Sequence, residues 1–273
     1  TGKVVGGGEF NKGTRKIEVK LIKRITPVDG LSYKYAVLTN DDMDINGGIS
    51  IHGNIHSNGS IDISDPDVFT LNGEATACVD NNYPGGLSGQ SSQTLPIVDM
   101  ENFKGLVIDP DNPLNVNEDG NGNGKYYGYD NSYVFNDPLT LYGIHFVDGD
   151  VIIKSDIILD NATIFATGTI RVLGSGDITL NNTIEDHPLA LIAYGDITIG
   201  GAVHGEGIIQ TIYGDFTNNG CVDINEGAIY ANEGTFNGGG WKEFNVKYST
   251  ALATMPVHGT GIPIWKKISW REL

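Results

Sequence analysis

One short pattern recurs along this chain: a glycine, then Asp, Ser or Thr, then a brief strand with apolar residues at alternate positions. It stands as Gly59-Ser60-Ile61-Asp62-Ile63, Gly149-Asp150-Val151-Ile152-Ile153, Gly168-Thr169-Ile170-Arg171-Val172, Gly176-Asp177-Ile178-Thr179-Leu180 and Gly195-Asp196-Ile197-Thr198-Ile199. Weaker copies follow at Gly214-Asp215-Phe216 and Gly234-Thr235-Phe236. Gly149 to Gly168, Gly176 to Gly195 and Gly195 to Gly214 each span 19 residues, and Gly214 to Gly234 spans 20. The stretch before the glycine repeats too, as Ile164-Phe165-Ala166-Thr167 and Leu191-Ile192-Ala193-Tyr194. Strands returning at a fixed interval behind the same turn residues are the signature of stacked coils. A β-sandwich also places strands every ~8–12 residues, but it has no reason to hold the interval constant. The expected fold is therefore all-β: a right-handed β-solenoid (β-helix) whose coils rise by about 4.8 Å. Apolar side chains stack inside, and a Gly-Asp or Gly-Thr pair turns the corner.

Glycine content supports many tight turns: 38 of 273 residues are Gly, and Gly, Asn and Asp tolerate the positive φ that such turns need. The repeat is broken over Ser64 to Thr140, which reads as a loop-rich insertion. It holds Pro84-Gly85-Gly86, the Ser/Gln-rich Ser88 to Gln93, and one short helix over Val98 to Val107 behind Pro96. Asn181 to Pro188 reads as a smaller loop beside the ladder. At the N-terminus, Thr14 to Ile25 alternates basic and apolar residues, and Val4, Val5 and Phe10 precede it across Gly6 to Gly8. That predicts a β-hairpin over residues 1–40 capping one solenoid end, with residues 41–273 forming the solenoid and its insertion at 64–140. Trp265 to Leu273 reads as a last strand.

Charge excludes some partners. With 17 basic against 34 acidic residues, the chain repels nucleic acid and anionic membrane surfaces. The longest apolar run, Leu189 to Tyr194, is far short of the ~20 residues that span a bilayer. The chain begins at Thr1 and reads as a fragment or processed form.

Several residue groups are candidate sites. Asp109 to Gly124 is rich in Asp, Asn and Gly. Asp109, Asp111, Asn117, Asp119, Asn121 and Asn123 offer the oxygen ligands that suit Ca²⁺. The full EF-hand pattern is not met, so a solvated turn cluster is the other reading. Cys78 and Cys221 either form a disulfide tying the insertion to the ladder or stand as free thiols. Tyr126, Tyr127, Tyr129 and Tyr133 form a tyrosine-rich stretch suited to partner contact. His52 and His56 read as exposed strand positions. No nucleophile elbow, zinc-protease or phosphate-loop motif occurs. Asp150, Asp177, Asp196 and Asp215 could serve a glycosidase as paired carboxylates, but each already has a turn-forming role. The Asp148 to Phe236 stretch holds only Lys154 and Arg171 to neutralise an acidic polymer.

The whole chain from about Gly13 resembles the C-terminal β-solenoid region of PilX-like type IV pilus accessory proteins. The residues that carry the resemblance are the basic strand Gly13 to Leu21, the repeats Ile45 to Gly59, the Pro96 to Phe103 helix start, Gly143 to Val151, and Ser269-Trp270-Arg271-Glu272. It implies a non-enzymatic extracellular subunit, an accessory or tip component of a pilus-like filament, anchored through an N-terminal hydrophobic helix that this chain lacks. Its partners would be pilin-like subunits or a cell-surface or glycan ligand. The alternatives are a polysaccharide-degrading β-helix enzyme and a self-polymerising solenoid scaffold.

Overall fold

The computed structural model describes residues 2–9, 14–26, 33–96, 98–108, 123–128, 132–184, 187–239, 243–253 and 262–272. The fold is a β-solenoid of parallel strands in three faces. The first face is an eight-stranded sheet of β4 (Met43–Asn46), β7 (Ile61–Ile63), β11 (Tyr133–Phe135), β13 (Val151–Ile153), β15 (Ile170–Val172), β18 (Ile197–Ile199), β20 (Phe216–Asn218) and β22 (Gly234–Asn237). The second holds β5 (Ile49–His52), β8 (Phe69–Asn72), β16 (Asp177–Asn181) and β23 (Phe244–Tyr248). It also holds the first halves of β12 (Leu139–Val147), β14 (Ile157–Ala166), β19 (Ala202–Thr211) and β21 (Cys221–Ala231). The second halves of those four strands make the third face with β3 (Val37–Thr39), β6 (Ile55–Ser57), β9 (Ala75–Ala77), β10 (Asn123–Tyr127) and β17 (Leu189–Ala193).

Residue patterning follows from what covers each face. On the first, strands bury their outer two residues and turn the middle one out, as in Ile170-Arg171-Val172 and Ile197-Thr198-Ile199. The third face is buried on both sides, so β17 is apolar throughout, as expected of a doubly covered parallel strand. Its outer cover includes α1 (Met100–Ile108), close to the helix expected over Val98 to Val107. Nine residues are too few to hold a helix alone. Phe103 stacks on Phe165 with ring centroids 4.3 Å apart. Lys104 Nζ donates to Asp148 Oδ2 at 2.8 Å. Two cores result: one inside the coils, around Ile153, Ile170 and Ile197, and one between the third face and the helix, around Phe103, Phe165 and Ile192.

Stack order is not chain order. Along the first face the strands run β11-β13-β15-β18-β20-β22-β4-β7. The N-terminal coils therefore continue the stack beyond the C-terminal one: β22 pairs with β4, β23 with β5 and β21 with β3. The expected 64–140 insertion is corrected by this topology. Its first part continues the coils as β8 and β9, and its last part builds the opposite end as β10 and β11. Only the segment between β9 and β10 crosses from one end to the other.

The 19-residue spacing also resolves into two corners. Gly149, Gly168 and Gly195 stack where the third face meets the first, Gly168 and Gly195 each donating to the carbonyl of the glycine one coil before. Gly176, Gly201 and Gly220 stack at the next corner, so Gly176 to Gly195 is not one coil. Ile170 pairs with Ile197, a 27-residue coil that contains the expected loop after Asn181.

β1 (Gly2–Glu9), β2 (Thr14–Thr26) and β24 (Ile262–Glu272) form a separate antiparallel sheet in the order β1-β2-β24. The hairpin and final strand are thus present and joined, but the solenoid ends are closed by other residues. One end is bridged by Asn81 to Ile61 and by Leu87 to Thr76, with Tyr83 set edge-on to Phe69 at 5.5 Å. The other is plugged by Tyr127, Tyr133 and Phe135, with the Tyr127 and Tyr133 centroids 4.2 Å apart.

The corner stacking sets a sharp test. A Cβ on Gly220 would fall inside the carbonyl oxygen of Gly201, whereas a Cβ on Gly174 would meet its nearest neighbour at 3.6 Å. Gly220→Ala should cost more than ~3 kcal/mol, within the range of a severe core clash. Gly174→Ala should stay within ~0.5 kcal/mol, as surface substitutions do. Urea unfolding of both variants is the measurement.

Candidate functional surface

Each corner aspartate has a structural task. Asp150 Oδ1 accepts the Thr169 N–H at 2.8 Å, Asp196 Oδ1 that of Asp215 at 2.9 Å, and Asp42 Oδ1 that of Ser60 at 2.7 Å. Each holds the main chain of the adjacent coil. Asp177 stands apart, opening β16 on the second face. There His204, one coil on, brings Nδ1 within 3.1 Å of Asp177 Oδ1 and Nε2 within 3.1 Å of Thr179 Oγ1. The Asp177 contact has ion-pair distance without an aligned hydrogen bond. Sequence reading found no acidic companion for His204, because its partner lies 27 residues away and only coil stacking brings the two together.

The calcium candidates Asp109, Asp111, Asn117, Asp119 and Asn121 lie outside the described residues. Asn123 opens β10, its backbone in register with Tyr142. Among the described residues no group of three or more His, Cys, Asp or Glu is placed to hold a metal ion.

The disulfide is corrected: Cys78 and Cys221 are not bonded to each other. Cys78 follows the third face, with Sγ 3.8 Å from Asn58 Oδ1 and from His56 Nε2. Cys221 begins a second-face strand above Ala202. They occupy different corner columns, which keeps the sulfurs apart.

Within the tyrosine stretch, the reading is corrected for Tyr127. Tyr127 is buried at the end of the coil core, with its hydroxyl 3.1 Å from His145 Nδ1. His145 Nε2 faces the Tyr142 carbonyl at 3.0 Å and must carry the proton, so Nδ1 accepts from Tyr127. Tyr133 packs on Tyr127, and half-buried Tyr126 hydrogen-bonds Asp148. Tyr127 and Tyr133 belong to the plug of a solenoid end, so their deletion is expected to disturb the ladder, while Tyr126 packs on the outer core. Tyr129 lies outside the described residues. His52 and His56 sit on different faces, and His56 is buried between Thr76 Oγ1 at 2.8 Å and Asn58 Oδ1 at 3.0 Å.

The surface that remains is ordered in columns. Val134, Ile152, Arg171, Thr198, Thr217, Thr235, Asp44 and Asp62 stand at the central position of successive first-face strands. Beside them the corner column places Asp196, Asp215, Glu233 and Asp42 on consecutive coils. Burial, then Asp215 and other neighbouring carboxylates, raises the Glu233 pKa. Burial, then Asp62 and Asp42, raises that of Asp44. At the same corner Tyr213 is 77% exposed, tilted against Tyr194 at 5.7 Å.

No family model matches the chain, and no curated protein does. Among solved structures it is similar to an ice-binding protein from an Antarctic biological consortium. That match has 14% identity, covers 82% of this chain and 94% of that one, and has a TM-score of 0.45. A glycosylated ice-binding protein from an Arctic yeast matches at 13% identity over 85% of this chain and 100% of that one, TM-score 0.45. The competence-associated pilin ComZ from Thermus thermophilus matches at 13% identity over 99% of this chain and 80% of that one, TM-score 0.41. At these identities and scores the likeness assigns no function.

Carboxylate crowding gives a signed prediction. A carboxyl whose folded pKa is raised binds its proton more tightly folded than unfolded. Its favourable contribution is present at low pH and lost as pH rises through the folded pKa. Glu233→Gln should therefore raise Tm at pH 7, and the advantage should shrink as pH falls toward the ordinary glutamate range. Asp148 runs the opposite way: Lys104, the leading cause, lowers its pKa. Asp148→Asn should cost stability at pH 7 and little once pH falls through the folded Asp148 pKa. Thermal melts across pH read both.

Proposed function

We propose that this chain is a non-enzymatic extracellular structural or adhesive module, displayed as an accessory or tip component of a type IV pilus-like filament. One observation carries the reading. The chain joins the stack at β3 and leaves it after β23, both of which pair with neighbours in the stack interior, and Tyr248 donates a hydrogen bond to the Tyr33 carbonyl at 2.6 Å. Outside the stack the two flanking segments, β2 and β24, pair with each other. The solenoid is thus inserted between two paired strands, as a display domain is carried on a stalk. Pilin-like subunits or a surface glycan are the partners this placement suits. Both coil ends are filled by aromatic residues and bridges, which disfavours polymerisation by end-on coil stacking.

The test is localisation of the protein expressed from its own gene in its own cell. Immunogold labelling should decorate surface filaments. Uniform cytoplasmic label would refute the reading. On acidic and neutral polysaccharides no turnover is expected; cleavage abolished by Asp177→Asn would establish the enzyme instead.

A second reading, adsorption to an ordered solid such as ice, has one feature in its favour. Thr198, Thr217 and Thr235 repeat a hydroxyl on three adjacent coils. Arg171 and Asp44 bound the run on either side. Thermal hysteresis lost in Thr217→Lys would establish it; none is expected. Calcium at Asp109 to Gly124 is a separate proposal. Millimolar Ca²⁺ should raise Tm by ligand linkage, and an unchanged Tm would remove it.

A further inference from the structure

Charge is divided between the two bodies of the chain. β1, β2 and β24 carry nine Lys or Arg against three Glu. The rest of the chain holds eight Lys or Arg and 31 Asp or Glu. A basic three-stranded sheet thus accompanies a strongly acidic solenoid in the same chain.

The acidic charge has a focus with a second feature beside it. Asp196, Asp215, Glu233 and Asp42 stand on consecutive coils, about 4.8 Å apart, flanked by Asp44 on the first face. At the same corner, Tyr213 is 77% exposed, and its ring lies at 34° to that of Tyr194. Tyr194 in turn feels the carboxylates of Glu101 and Asp99 at the start of α1. Exposed Tyr213, backed by half-buried Tyr194, attracts a cation over the ring face, and the surrounding carboxylates select Lys or Arg as what lies there.

We propose that copies of this chain associate head to tail, the basic β1-β2-β24 sheet of one copy docking on the acidic corner of the next. Tyr194 and Tyr213 take a Lys or Arg at the centre of the contact. The two surfaces differ, so the contact is heterologous and repeats along a line or closes into a ring. The net charge of −17 opposes approach at long range. At physiological ionic strength that repulsion is screened beyond about 8 Å, while pairs in contact persist. The association does not rest on the display reading, since a freely secreted solenoid would associate in the same way.

Sedimentation velocity of the full chain at about 0.15 M and about 1 M salt tests the proposal. Concentration-dependent assembly is expected at the lower salt and monomer at the higher. One variant, D44K/E233K, disables the corner and is expected to fold because it relieves carboxylate crowding. The other, K16E/K20E/K23E, disables the sheet. Each should be monomeric alone, and the two mixed should form a 1:1 dimer that grows no further. Tyr213→Ala, an exposed change that spares the fold, should weaken assembly about tenfold without altering circular dichroism. A wild-type monomer at every concentration and salt would overturn the proposal. So would assembly that survives either charge reversal, or no dimer on mixing. A monomer whose Tm falls with added salt would mean that the sheet sits on its own copy's corner, and also overturns it.

Discussion

The parallel main-chain ladder governs this molecule. Each interior strand of the stack exchanges main-chain hydrogen bonds with the coils on both sides, so a residue's nearest neighbours are the residues at its own position one coil away. An apolar position therefore becomes a column of apolar contacts, as from Val151 through Ile170 to Ile197. A glycine corner becomes a column of close main-chain approaches. An asparagine corner becomes a chain of amides, with Asn58 donating to Asn40 and Asn40 to Asn232. Stacking like on like stabilises all three. Applied to carboxylates it does the opposite: after burial, the leading cause, neighbouring carboxylates raise the pKa values of Glu233 and Asp44.

That ladder is completed by segments far apart in sequence. The joint of β21, β22 and β23 with β3, β4 and β5 unites residues about 190 positions apart. Glycines permit the approach there: a Cβ on Gly47 or Gly238 would collide with main chain across the joint. The chain then has to travel the length of the stack to begin the far end. The α1 helix uses that crossing to bury the outer side of the third face, adding a second core to the first. Interior attachment of the stack and the closed ends both follow from this path.

Much of this was legible in the sequence. The period-two strands, the glycine corners, the turn role of the aspartates and the short helix are local signals. Leu189 to Tyr194 stood out as an unbroken apolar run because the face that holds its strand is covered twice. The order of coils was not legible. A coil that stacks on its sequence neighbour and one that stacks on the far end of the chain present the same pattern, since both need only apolar residues at alternate positions. Two glycine columns at different corners also mimicked a single period, and a 27-residue coil hid among 19-residue ones. The tyrosines of residues 126–133 looked like a projecting loop because nothing local marks an end plug. The His204 pairing with Asp177 required the register itself.

Non-adjacent stacking of the N-terminal and C-terminal coils is the claim on which the architecture and the display reading both depend. Thr235 and Asp44 are register partners across the joint, whereas coils stacked in chain order would hold them many strands apart. The direct measurement is disulfide trapping in the variant D44C/T235C, with Cys78 and Cys221 replaced by Ser, since the bond needs Cα atoms within about 7 Å. Mild oxidation should give a quantitative intramolecular crosslink in the monomer, read by mass spectrometry, with native circular dichroism retained. A monomer that keeps native circular dichroism with both thiols free after oxidation would contradict the joint.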